Sequence, residues 1–357
     1  GGAIGASSGY TKITRCQFTD NTAHLGGAIR VGDEYMVIGG TETMGNTFIG
    51  NRAACGSELF IHHGTTIVDA QYNDFEGFAD SEYWFYKAAR FNFTGSTFAL
   101  TPIEQDVYVA PDGDDTNDGL SWNSPFQTIH HAIGQINATP ETIINVHLAP
   151  GTYSPSTTGE LFPVPAQNWI ILQGSGRDET ILDVEQTDMG MMIYYKNLKI
   201  RDLTIQNGYH KVGGILCRGS SPVIENCNIF INFGYSVGGI DCYSDSAPVI
   251  RNCNITHNIG NEGGGIRFFN ESNATVINCD ISHNTGTNYG GGIRADYFST
   301  PLIFGSRISN NGSFYGGGVC AYKSDIQLVN TLICNNFGGY GGGIFASQGS
   351  PVLSNCT

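Results

Sequence analysis

Gly213-Gly214-Ile215 opens a stretch that runs through Pro222-Val223-Ile224-Glu225-Asn226-Cys227-Asn228-Ile229 to Asn232, and the same order of residue types starts again at Gly238-Gly239-Ile240. The aliphatic residue after the glycine pair recurs as Ile215, Ile240, Ile266, Ile293, Val319 and Ile344, at spacings of 25, 26, 27, 26 and 25. A second column reads Cys227, Cys253, Cys279, Ser306, Thr331, Cys356, and a third reads Asn232, Asn258, Asn284, Asn311, Asn336. Three columns keeping one beat mark an internal structural repeat.

Each unit holds short β-type runs, a polar corner and a Gly-rich corner, with no room for a helix of ordinary length. A leucine-rich frame and helical periodicity are both absent. The fold class that remains is all-β, a parallel β-helix of about 25–26 residues per coil, with coils stacked about 4.8 Å apart. In such a stack the isoleucine columns face inward. Asn226, Asn252, Asn278 and Asn330 fall at corners, where stacked amides are expected to bond the coils above and below. The glycine pairs mark positions that need positive φ or close backbone approach.

Composition agrees. The 357 residues include 49 glycines, only 14% are charged, and 40% are hydrophobic. That is enough apolar material for a core, which rules out a disordered chain. The net charge of -15 argues against a nucleic-acid partner, whose phosphates need a basic surface. No apolar run is long enough for a transmembrane helix in this fragment. The chain starts at Gly1 without a leader and stops at Thr357 inside the repeat. A severed solenoid leaves backbone groups unpaired, so a slice of a longer, filament-forming polypeptide with self-association or end-to-end stacking is expected.

The first hundred residues keep the beat more loosely. Phe18-Thr19-Asp20-Asn21, Gly26-Gly27-Ala28-Ile29 and Phe48-Ile49-Gly50-Asn51 resemble the repeats of polymorphic outer-membrane proteins, which are bacterial surface adhesins. At Asp106 the character changes. Asp106-Val107-Tyr108-Val109-Ala110-Pro111-Asp112-Gly113, Ser121-Trp122-Asn123-Ser124-Pro125-Phe126, Pro150-Gly151-Thr152-Tyr153 and Leu172-Gln173-Gly174-Ser175-Gly176 follow one another up to Asp183. This stretch resembles the N-terminal opening of bacterial pectin-lyase-like proteins, and the resemblance implies a right-handed β-helix. Ile129, Ala132, Ile133 and Ile136 lie on one face of a short capping helix expected near 125–137, with Ser124 as N-cap and Pro125 first in the helix. The expected organisation is terminal coils of an upstream β-helix module in 1–103, a capping segment and first coils of a second in 104–190, and regular coils in 191–357. Tyr83-Trp84-Phe85-Tyr86, Phe91, Phe93 and Phe98 are expected to close the upstream module.

Candidate chemistry is sparse. Asp112, Asp114, Asn117 and Asp118 offer oxygens at the spacing of a calcium loop, although the bidentate twelfth-position Glu is missing; a run of Asx turns fits the same residues. No cofactor is otherwise required. The stacked cysteines, ten in the chain, read as small buried apolar residues rather than disulfides, and no Cys-x-x-Cys spacing occurs. His62-His63 and His130-His131 are adjacent pairs pointing to opposite faces, while His257 and His283 occupy equivalent places on successive coils.

One strip is different. The residues next to the inward isoleucines, and those two further on, are expected to face out. They include Arg218, Asp241, Tyr243, Arg267, Phe269, Arg294, Asp296 and Tyr322. Rings interleaved with Arg and Asp fit a carbohydrate-binding face, and they equally fit a solvated sheet with cross-coil ion pairs. Pectin-lyase-like enzymes are lyases, hydrolases and epimerases, needing a base or paired carboxylates. The six lysines, with Lys196, Lys199 and Lys211 grouped, do not form such a site, and no acidic cluster falls on consecutive coils. The reading favoured is a secreted or cell-surface structural, adhesin-like module with carbohydrate as a partner. The alternative is a polysaccharide-active enzyme.

Overall fold

The computed structural model describes residues 2–6, 11–31, 36–39, 44–55, 57–61, 68–77, 85–87 and 91–357. Tyr83, Trp84, His62 and His63 lie outside them, as do the side chains of Phe85, Tyr86 and Phe91. Two compact units divide the chain. The first is 1–104 with 133–138 and 165–167, and the second holds the remainder.

The second unit is a parallel β-helix. Each regular coil passes in turn through a first sheet (Val223–Glu225), a second (Asn228–Phe230), a third (Phe233–Val237) and a fourth (Ile240–Tyr243). Across the unit these sheets carry ten, eight, six and seven strands. The repeat columns are in register: Ile215 pairs with Ile240, Ile240 with Ile266, Ile266 with Ile293 and Ile293 with Val319. They meet Ile224 and Ile250 of the first sheet and Ile229 and Ile255 of the second, all fully buried. The first unit repeats the scheme with phenylalanines. Phe18 stacks on Phe48 at 4.9 Å, Phe48 on Phe75 at 4.8 Å, and Phe93 and Phe98 pack edge to face at 5.4 Å.

The amide ladder stands in a different column from the expected one. Asn226, Asn252, Asn278 and Asn330 turn the corner with φ near +50°, a conformation asparagine tolerates better than other residues with a β-carbon. The bonded ladder is Asn232, Asn258, Asn284, Asn311 and Asn336. From Asn258 onward each Oδ1 accepts from both the backbone N–H and Nδ2 of the asparagine one coil before, at 2.9–3.1 Å, while Asn232 Oδ1 accepts from Gly208 N at 2.9 Å. The glycine pairs before Ile215, Ile240, Ile266 and Ile293 have no positive φ and serve close approach, whereas Gly26 of the first unit adopts φ +69°. A β-carbon on Gly239 would lie 2.3 Å from the Gly265 carbonyl oxygen of the next coil.

The capping helix, α1 (Ile129–Gln135), begins later than Ser124 predicts. Pro125-Phe126 stays extended, with Phe126 bridging Val109. Thr128 is the N-cap, its Oγ1 accepting from His131 N at 3.1 Å. Asp115 accepts from the N–H groups of Gln127 and Thr128, both at 2.9 Å. Glu160, 31 residues downstream of Ile129, accepts from Ile129, His130 and Leu161 N–H groups.

Glu160 is fully buried. Burial pushes its pKa up to about 7 from 4.5, against the pull of those three N–H groups. A raised carboxyl pKa stabilises the fold below the unfolded value, and that contribution is lost as pH rises through the folded one. Between about pH 4.5 and 7 the loss is on the order of 3 kcal/mol. Glu160→Gln is expected to flatten this decline in a series of urea midpoints against pH.

Candidate functional site

The predicted strip divides into a buried half and an exposed half. Asp241, Arg267, Arg294 and Asp296 are only 2%, 5%, 9% and 0% exposed, so the outward expectation fails for these four. Alternation gives the correct side of the fourth sheet, but the end of the third sheet and the turn after it lie over that side. Arg267 forks onto Asp241, Nε to Oδ1 at 2.8 Å and Nη2 to Oδ2 at 2.7 Å. Its Nη1 donates to Ser236 Oγ at 3.1 Å and to the Glu262 carboxylate, both from the overlying segment. The Arg294 guanidinium pairs with Asp296 and lies 4.3 Å from the Tyr289 ring centre. Burial pushes the pKa of Asp296 up to about 6, against the opposing charge of Arg294.

The other half stays at the surface. Tyr243 and Phe269 stack at 5.3 Å with their planes 5° apart. Asp296 occupies the next place in that row, and Tyr297 covers the gap from the turn, 5.1 Å from Phe269 and 5.7 Å from Tyr322. Arg218 lies between the Tyr194 and Tyr243 rings, at 5.3 and 5.4 Å, and donates to the Tyr194 hydroxyl at 2.8 Å. Lys323 Nζ sits 5.2 Å from the Tyr322 ring.

Tyr297 and Phe298 were not singled out by residue type. Other coils place Ser244-Asp245 and Asn270-Glu271 at this turn, all with positive φ. Two aromatic residues at φ +45° and +64° are backbone outliers there. The only signal was an aromatic pair where the two preceding coils hold Ser244-Asp245 and Asn270-Glu271. Phe298 is 68% exposed and borders a groove of about 500 Å³ with Thr300, Lys323, Asp325 and Gln348.

The acidic loop turns inward on itself. Asp114 accepts from Thr116 N at 2.8 Å, Asp118 from Leu120 N at 3.0 Å, and Asn117 Nδ2 donates to the Pro125 carbonyl. Among the described residues, Asp112, Asp114 and Asp118 do not bring three carboxylate oxygens within 4.8 Å of one another. The nine described cysteines are free. His257 and His283 stack at 5.0 Å on the exposed side.

A family model for the right-handed β-helix region matches residues 166–261 and 239–357. The chain belongs to the right-handed β-helix family. Its fold is the pectin-lyase-like one: the structure of carrot pectin methylesterase matches with a TM-score of 0.51 and 17% identity, over 72% of this chain and 83% of that one. A pectate lyase structure matches 66% of this chain and 55% of its own, at 15% identity and a TM-score of 0.39. A segment of 135 residues, 35% of this β-helix chain, is 30% identical to the metabotropic glutamate receptor-like protein P of Dictyostelium discoideum. The alignment spans 9% of that relative's length. Among the described residues no helix is long and apolar enough to cross a membrane.

Proposed function

We propose that this chain is a secreted or cell-surface structural segment, adhesin-like, that holds carbohydrate chains along the ring-lined edge of its fourth sheet. The carrying observation is the row Tyr243, Phe269, Tyr297 and Tyr322, continuous across four coils and ending at the Phe298 groove. Ring edges at coil spacing, with the exposed rings of Tyr297 and Phe298, offer apolar contact to successive sugar rings, and Arg218, Lys323 and Gln348 offer hydrogen bonds at the margin. The four buried charges are committed to one another and do not touch such a ligand. This reading requires no cofactor.

A second reading, polysaccharide-active enzyme, draws support from the Asp241 and Asp296 carboxylates sharing one face with two arginines. Calorimetric titration with oligosaccharides of uronate and of neutral glucan, alongside an ultraviolet assay for unsaturated products, separates the two. Binding without turnover is expected. Phe298→Ala and Tyr322→Ala should each weaken binding about tenfold, the loss of a ring contact of about 1.4 kcal/mol. Steady product release would replace the structural reading with the enzymatic one.

A further inference from the structure

The column of Cys227, Cys253 and Cys279 is a row of sulfurs with defined spacing. The strands on either side fix it: Glu225 pairs with Arg251 and Arg251 with Ile277, while Asn228 pairs with Asn254 and Asn254 with Asp280. Each cysteine therefore stands directly over the next. All three adopt one posture, Sγ lying 3.2–3.3 Å from the carbonyl two residues back, on Glu225, Arg251 and Ile277. Identical postures carry the coil spacing of about 4.8 Å over to the sulfurs. A metal–sulfur bond is about 2.3 Å long, so two collinear bonds span about 4.6 Å. Soft thiolate ligands select soft ions such as copper(I).

We propose that Cys227, Cys253 and Cys279 bind a soft monovalent metal ion of the copper(I) class, held linearly between sulfurs of successive coils. Binding replaces two thiol protons, which leave to solvent, and no electron is transferred. The resulting S–Cu–S unit carries one negative charge. Arg177 is placed to offset it: its guanidinium donates to Asn226, next to Cys227, and it borders one groove with Cys279. Asp202, the carboxylate near Cys227, is already paired with Arg201 Nε at 2.5 Å. A groove of about 500 Å³ bordered by Arg177, Asn252, Cys279, Ser306 and Arg307 reaches the end of the column and supplies an entry path. Cys217 and Cys242 also stack in register, but Asp241 and Arg267, the charges beside Cys242, are paired with each other.

The test uses the full chain, reduced and anaerobic, with Cys16, Cys334 and Cys356 changed to serine to remove accessible thiols. Copper(I) is supplied against a competing chromogenic chelator, and X-ray absorption reads the ligands. One ion per chain with two sulfur neighbours is expected. Cys253→Ser should weaken retention more than about 100-fold, beyond the usual effect of outer-shell changes, while Cys217→Ser leaves it unchanged. Serine already stands in this column at Ser306, so the fold is expected to survive, checked by circular dichroism. The pair Cys227→Ser/Cys279→Ser, which strands Cys253 without a sulfur neighbour, must lose the ion as well. Retention in either variant, equal loss in Cys217→Ser, nitrogen or oxygen ligation, or an internal disulfide in place of the metal would each overturn the proposal.

Discussion

Asn258→Leu is expected to lower the stability of the second unit by about 3–6 kcal/mol, read as a fall in the urea midpoint of the circular dichroism signal. The side chain sits mid-ladder and is fully buried. Its Oδ1 accepts from Asn232 N and Nδ2, both at 3.0 Å, and its Nδ2 donates to the Ile229 carbonyl at 2.8 Å and to Asn284 Oδ1 at 3.0 Å. Leucine keeps the volume and removes every one of these partners. The Asn232 N–H and the Ile229 carbonyl lose side-chain bonds inside the solenoid, and each buried orphan costs about 1–3 kcal/mol. Asn252→Gly is the matched control. Asn252 is exposed with φ +54°, and the same column already holds glycine at Gly305. Its midpoint should move little. Equal shifts in the two variants would show that the ladder contributes no more than the corner.

The contrast between these two asparagines shows what was legible in the chain. Stacking converts neighbours in space into residues one coil apart, so Ile215 to Val319 and Asn232 to Asn336 announce both the fold and its beat. Which of two asparagine columns bonds internally depends on backbone conformation at the corner, and residue type does not report it. The start of α1 was misplaced because Ser124-Pro125 satisfies a local rule, while Asp115 and Glu160 fix the helix from a distance. Tyr243, Phe269 and Tyr322 of the fourth sheet do stand at the surface. Burial of Asp241, Arg267, Arg294 and Asp296 was illegible for another reason. Period-two alternation states which side of a sheet a residue takes, and says nothing about Ser236 and Glu262 crossing over it.

That crossing makes Arg267 costly to remove. Arg267→Met is expected to cost about 3–5 kcal/mol, because it strands Asp241 as a buried carboxylate without its partner. Glu262 loses its closest cation too and is left with Arg294, whose Nη1 is 3.9 Å away. The loss should be partly recovered at low pH, where a proton neutralises Asp241 in place of the missing arginine. Asp241→Leu in the same background removes the stranded charge and should restore most of the stability, since an apolar pair of similar volume fits a buried site about as well as the ions do. A double-mutant cycle in urea measures the coupling, which should exceed about 2 kcal/mol. Additive losses would mean that Arg267 acts through packing on Phe269, whose ring centre lies 5.1 Å from its guanidinium, and that the fork to Asp241 contributes little.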